Sequence, residues 1–372
     1  MKNILKSLLI VLISVVCLFG CQFNNTDKEI KVTAKVTSIE KFGHIVLDIT
    51  SAEFNQKGFT LGDVVLVTVG EQSIKMPYFD GYYSDTGKPL LRGMTLEEEI
   101  AVCINYGSFK DTYNVLIGDV VEIKLVEKGG ELTLQEIRSL QYTIDLDDYF
   151  SIKTYTNFRN VVLGNIKEDK LYRGASPISN RFNRASYSDD LIEAVGIKTV
   201  LNLSDTRDDI MTWIEKDDFD SPYYLLLFTT GQVKELNLAA DYKEEEYGQS
   251  VAMGLTYLSN NDGPYYIHCE EGKDRAGFVC MLLEALMGAT LDEIIEDYML
   301  SFYNYYGITK QEEERYQTIL EKNLLPMMSF VFEVEDFETL KSIDLETKVV
   351  DYLLSIGMEQ DAINNLKENL SN

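Results

Sequence analysis

The residues best placed to do chemistry are a cysteine and an arginine five residues apart, in His268-Cys269-Glu270-Glu271-Gly272-Lys273-Asp274-Arg275-Ala276-Gly277. An arginine presents a planar fork of donors that can clamp two oxygens of one phosphate, and a cysteine held beside it in the same positive field favours its thiolate form. Such a thiolate can attack phosphorus and carry the phosphoryl group until water removes it. Glu270, Glu271, Gly272, Lys273 and Asp274 supply the backbone N–H groups of the intervening turn. Gly272 is the residue that lets the chain reverse there. The alternative is a structural cysteine beside a surface arginine, since buried cysteines are common in cores.

The flanking segments decide whether these groups converge. Pro264-Tyr265-Tyr266-Ile267-His268 follows the breaker Asn261-Asp262-Gly263 and is expected to be a buried strand. From Ala276 to Met287 the chain is almost wholly apolar, with Glu284 alone charged, and it stops at Gly288, as a buried helix would. Strand, tight turn and helix N-terminus together aim N–H groups and a helix dipole at one anion.

At these residues the chain resembles the cysteine-dependent protein-tyrosine and dual-specificity phosphatases, most closely the bacterial branch whose loop reads H-C-x-x-G-K-D-R. The resemblance spans about residues 155 to 310. It includes Asn157-Phe158-Arg159-Asn160, Leu171-Tyr172-Arg173-Gly174 and the run from Leu191 to Leu203. It implies metal-free, cofactor-free hydrolysis of phosphomonoesters through a phosphocysteine. The residues themselves alternate strand and helix, with Lys198 to Leu203 and Tyr223 to Phe228 as apolar strands and Leu191 to Val195 and Tyr242 to Leu258 as helices, which gives an α/β domain with a central sheet flanked by helices and the site at its carboxyl edge.

In dual-specificity phosphatases the general acid is an aspartate after the strand that precedes the long helix. With Tyr223 to Phe228 as that strand, the loop is Thr229 to Glu235 and holds no aspartate before Asp241. The branch with H-C-x-x-G-K-D-R carries an aspartate inside the loop, matched here by Asp274. Asp205, in Leu203-Ser204-Asp205-Thr206-Arg207-Asp208, is the other candidate, because it follows a buried strand toward the same sheet edge. For Asp274 the competing role is helix capping. His268 is expected to orient the loop by hydrogen bonding, and Arg173 either adds substrate charge or pairs with an acidic neighbour. Ala276 stands where many relatives carry serine or threonine. Without that hydroxyl, the departing thiolate is less stabilised and a phosphorylated enzyme should accumulate.

The 372 residues have room for two domains, with a hydrophobic fraction of 45%. A formal net charge of −27 repels phosphate backbones and anionic lipid, which argues against nucleic-acid or polybasic membrane partners. Removing Lys2 and Lys6 with a leader takes the charge to −29. Lys2 and Lys6 precede an apolar run from Leu8 to Phe19, too short to span a bilayer, and Leu18-Phe19-Gly20-Cys21 resembles a bacterial lipobox. Residues 1–20 are therefore expected to be a signal peptide and 21–26 a tether lipidated at Cys21, placing an exported chain on the outer side of the cell membrane. Of the remaining cysteines, Cys103, Cys269 and Cys280 have no zinc or disulfide spacing. Cys280 is expected to be a core thiol, or a disulfide partner of Cys269.

Residues 27–148 show short alternating runs between glycine-bearing turns, the pattern of a small all-β barrel or sandwich preceding the α/β domain of residues 149–372. Gly62-Asp63-Val64-Val65, Met76 to Tyr82 and Ile104 to Asp119 resemble the C-terminal barrel of S-adenosylmethionine hydroxide adenosyltransferases, which carries over the fold and not the activity. Tyr78, Tyr82, Tyr83 and Tyr106 are either strand packing or an aromatic recognition surface. Leu291 to Phe302 form a helical stripe, and residues 310 to 372 add a helical extension. Three functions remain open at this stage: a protein-tyrosine or dual-specificity phosphatase, an inositol or polyol phosphate phosphatase, and a catalytically weak phosphate-binding surface lipoprotein.

Overall fold

The computed structural model describes residues 29–239 and 241–372; the leader, the lipobox and Cys21 lie outside them. The chain divides into two compact units at Gln135/Glu136. Residues 136–148 thus belong to the second unit, although their sequence pattern runs on from the barrel.

The first unit is a closed seven-stranded barrel. Its strands are β1 (Lys31–Ile39), β2 (Ile45–Thr50), β3 (Val64–Val69), β4 (Gln72–Phe79), β5 (Pro89–Arg92), β6 (Glu99–Ile104) and β7 (Val120–Glu127), in spatial order β1-β2-β6-β5-β4-β3-β7. β7 pairs with β1 to close it, so no edge is left unpaired. Every pairing is antiparallel except β4 with β5. Alternation fills the interior: Ala34 and Val36, then Val65, Val67 and Val69, then Val121 and Ile123 are all buried. Phe54 stacks on Phe59 at 4.0 Å and meets Tyr78 edge-on at 5.0 Å.

In the second unit, β8 (Arg159–Asn160), β9 (Leu171–Gly174), β10 (Thr199–Asn202), β11 (Val233–Glu235) and β12 (Tyr265–His268) form one sheet in the order β11-β10-β12-β9-β8, parallel except for β8. Tyr172, Tyr266, Val200 and Val233 are in register and build a row across one face, over which Ile192, Tyr224 and Phe228 pack. On the other face the helix Glu245–Ser259 comes so close that a Cβ on Gly254 would lie 2.9 Å from Leu201 Cδ1. The helix Asp274–Leu286 packs beside it against β9 and β12. Gly174, His268, Asn202 and Glu235 are register partners at the carboxyl ends of their strands, so the loops that follow them share one edge.

One expected strand is a helix. Tyr223 to Phe228 lies within the helix Pro222–Thr229. Six consecutive apolar residues suit either form. Here Pro222 starts a helix well, and the buried Asp189 carboxylate accepts the N–H groups of Tyr223 and Tyr224 at 3.0 and 2.6 Å, satisfying donors that a helix end leaves open. The strand before the long helix is therefore β11, and the loop between them is 236–244, which contains Asp241.

The stacking of Phe54 fixes a clear expectation for the barrel. Phe54→Ala should cost about 3–5 kcal/mol of its stability, read as a lower denaturant midpoint of the strand signal.

Candidate active site

The geometry begins with Gly272. Its φ of +66° is open to glycine, and a Cβ there would sit 2.2 Å from the carbonyl carbon and oxygen of Gly174. The turn thus lies directly on the end of β9. The Ser176 N–H donates to the Glu270 carbonyl at 3.1 Å, and the Leu203 N–H to the His268 carbonyl at 2.9 Å. Cys269 sits in this turn at 4% exposure as a free thiol. Cys280 is also free and fully buried, and burial pushes its thiol up to about 12.

A turn that aims N–H groups inward points its carbonyls outward, and these find buried donors. Arg173 donates to the Gly272 and Lys273 carbonyls at 2.9 and 3.1 Å. Asn157 Nδ2 donates to those of Glu271 and Gly272 at 3.2 and 3.1 Å, and Tyr305 donates to Glu271 at 2.6 Å. Arg173 is only 1% exposed and also pairs with Asp297 at 2.6 Å, which removes it from substrate charge. Its Nη1 and Nη2 are committed to the counter-ion and the loop, while Nε has no hydrogen-bond partner among the described residues.

Asp297 also takes Arg159, through Nε at 2.6 Å and Nη2 at 3.1 Å. Burial alone would raise its carboxyl, but the two guanidiniums hold it below the ordinary carboxylate range. Neighbouring Glu284 is pushed up by burial and then by Asp297, so it is held protonated beside the pair. Asp297 was missed from sequence, yet its signal is readable: Ile294, Asp297 and Ser301 share one helical face of an apolar stripe.

The remaining loop side chains have their own partners. The Ser179 hydroxyl donates to Glu270 at 2.9 Å, and burial raises the Glu270 carboxyl. The Tyr142 hydroxyl donates to Glu271. Lys273 is largely buried, 3.1 Å from the Tyr306 hydroxyl and 3.4 Å from Glu271. Burial opposes its charge, but Asp274 and Glu271 hold the ammonium firmly protonated. Internal pairing therefore keeps this ammonium from being a free charge at the site. Arg184 is 1% exposed with no carboxylate partner and lies over the rings of Tyr142, Tyr155 and Tyr305 at 4.6, 4.9 and 4.6 Å.

His268 is fully buried between Tyr266 and Tyr224 rings, and neither ring nitrogen has a hydrogen-bond partner among the described residues. Packing between the two rings holds the imidazole at the base of the loop, with the Cys269 backbone beside it as the polar neighbour. Burial lowers its pKa to about 3, so the imidazole is neutral.

Arg275 keeps two long contacts, from Nη1 to the Leu203 and Leu238 carbonyls at 3.3 and 3.4 Å. It borders two clefts. One, of about 210 Å³, includes Asp274, whose side chain is 61% exposed. Asp274 opens the helix, but its N-cap is Lys273, which makes no side-chain cap. The other cleft, of about 300 Å³, includes Asp205 and Glu270. Asp205 is buried, accepts from Trp213 Nε1 at 3.3 Å and leaves Oδ2 without a partner; burial raises its carboxyl. Both acid candidates thus lie beside Arg275, on different sides. The loop 236–244 reaches Arg275 through Leu238 and carries Asp241, so the loop before the long helix is not the aspartate-free Thr229 to Glu235 expected from sequence.

Residues 151–372 match the model of the tyrosine phosphatase family. Among solved structures, an uncharacterised conserved protein from Thermotoga maritima is 26% identical over 25% of this chain and 35% of its own, with a TM-score of 0.24. The chain thus spans about a third of that protein's length. The core catalytic domain of the PP-IP phosphatase SIW14 from S. cerevisiae is 18% identical over 52% of this chain and 94% of its own, at 0.28. TpbA of P. aeruginosa is 16% identical over 63% and 99%, at 0.25. No curated protein matches the chain.

Gly272→Ala should abolish binding of orthovanadate while leaving the far-ultraviolet spectrum of the protein near native, because the clash is confined to the turn. Asp297→Ala should destabilise the second unit by about 3–5 kcal/mol, since it strands two buried guanidiniums. For His268 the unfolded chain binds more protons than the native one between pH 6.5 and about 3, so stability falls as pH falls through that window. The urea midpoint of wild type should therefore drop more steeply below pH 6.5 than that of His268→Phe.

Proposed function

The chain belongs to the tyrosine phosphatase family, and on that premise we propose that it hydrolyses phosphotyrosine or dual-specificity phosphoprotein substrates through a phosphocysteine on Cys269. The observation that carries the reading is the turn on β9: Cys269 and Arg275 are held around a loop whose Glu271, Gly272 and Lys273 carbonyls are drawn outward by Arg173, Asn157 and Tyr305. The N–H groups that remain are those an equatorial set of phosphate oxygens needs. In the first step the Cys269 thiolate forms an S–P bond as the ester P–O bond breaks, and Asp274 gives its proton to the leaving oxygen. In the second, water attacks phosphorus, its proton returns to Asp274, and the S–P bond breaks to release inorganic phosphate and the thiolate.

Asp274 is favoured as acid by its position one residue before Arg275 and its solvent access. Asp205 is the competitor, supported by a buried, unpartnered carboxylate oxygen. We further propose that Cys21 carries lipid and tethers an exported enzyme to the membrane. A Cys21→Ala chain that still incorporates labelled fatty acid would overturn that part.

Replacing Cys269 with Ser should eliminate hydrolysis of p-nitrophenyl phosphate in the absence of metal; surviving turnover would refute the nucleophile. Asp274→Asn should lower kcat by about 10²–10⁴ for phosphotyrosine and remove the acidic requirement for the protonated group from the kcat profile, whereas Asp205→Asn should leave that limb in place. Because Ala276 offers no hydroxyl to the departing sulfur, intact-mass spectra after rapid mixing should show phosphorylated wild-type enzyme, and Ala276→Ser should reduce that population.

A further inference from the structure

A phosphate seated in the loop directs its ester oxygen outward, so the leaving group enters one of the two clefts that Arg275 borders. Their charges differ. In the Asp205 cleft the cations Arg181 and Lys216 are matched by Asp205, Asp209 and Glu270. Arg181 lies 3.8 Å from Glu270, and the Lys216 ammonium sits 3.4 Å above the Trp213 ring. In the Asp274 cleft Arg138 and Lys322 join Arg275, and Asp274 is the only carboxylate among the lining residues. A cationic cleft on a chain of net charge −27 is a local inversion of the surface.

The same cleft has an aromatic wall. Tyr242 stacks on Phe278 with centroids 5.5 Å apart, and Tyr247 meets Phe278 edge-on at 5.4 Å. It also contains buried polar groups. The Tyr298 hydroxyl, on a side chain 3% exposed, and Asn323 Oδ1 are both buried there, close enough to act on each other. Burial raises the Tyr298 phenol, which stays a donor. Asn323 and Lys322 are carried on a single π turn, Leu320–Leu324, a wide turn that often marks functional positions in helices. Arg138 donates to the Lys322 carbonyl at 3.1 Å, which ties its guanidinium to the π turn.

We propose that this cleft selects phosphotyrosine flanked by acidic residues: the tyrosyl ring lies on the Tyr242 and Phe278 wall, and a neighbouring aspartate or glutamate side chain meets Arg138 and Lys322. This rests on the reading of Cys269 as nucleophile. A cleft of about 210 Å³ with an aromatic wall favours an aryl leaving group over a polyol, whose hydroxyls would face ring carbons.

The test uses the full chain and measures kcat/KM for one phosphotyrosine peptide in three versions, with aspartate, alanine or lysine on both sides, beside p-nitrophenyl phosphate and inositol hexakisphosphate. The aspartate peptide should exceed the alanine peptide by about tenfold at low ionic strength, and the advantage should shrink with added salt. Arg138→Glu with Lys322→Glu should reverse the order in favour of lysine. The milder Lys322→Gln, which keeps the turn intact, should narrow it. Equal rates for the three wild-type peptides, a ranking unmoved by either variant, or a preference for inositol hexakisphosphate would overturn this inference while Cys269-dependent hydrolysis of p-nitrophenyl phosphate left the nucleophile standing. Absence of that hydrolysis would overturn both.

Discussion

A loop that turns its N–H groups inward toward an anion must turn its carbonyls into the protein, where each needs a donor. Arg173, Asn157 and Tyr305 provide those donors here, and they come from three separate segments: β9, the residue before Phe158, and the helix Leu291–Tyr306. Arg173 can be buried only because Asp297 neutralises it, and Asp297 can stay charged only because Arg159 shares it. The buried triad is costly to desolvate, and its return is one fixed loop shape rather than stability alone. Asn157 adopts a φ of +53°, which an asparagine tolerates, and so places its amide beneath the loop.

The distribution of cations follows from the same economy. An acidic chain has few positive groups to spare, and the second unit commits most of those near the loop to internal duties. Arg173 and Arg159 hold Asp297, Lys273 is enclosed by Tyr306 and Glu271, and Arg184 is buried among tyrosine rings. Arg275, with only long carbonyl contacts, is the guanidinium left available at the centre. Glu270 and Glu271, which would repel an anion if free, are tied by Ser179 and Tyr142.

The candidate reactive residues were legible because their chemistry is local. Cys269, Gly272 and Arg275 depend on spacing within seven residues, and the strand and helix around them follow from apolar runs and breakers. The barrel was equally visible, since alternation and glycine turns repeat along it. The strand assigned to Tyr223–Phe228 failed for a nonlocal reason. Asp189, over thirty residues upstream, satisfies the first N–H groups of that segment and makes it a helix, and the acid-bearing loop moved to 236–244 with it.

Sequence alone determined the candidate nucleophile and phosphate clamp, the all-β and α/β character of the two units and the acidic composition, because each is set by residue type and short-range period. Tertiary structure decided which charges are free. Whether Arg173 meets substrate or Asp297, whether Lys273 is a surface cation or an enclosed one, and which cleft beside Arg275 stays positive all depend on partners 30 to more than 100 residues distant. Electrostatic contacts act through space, and no spacing along the chain records them.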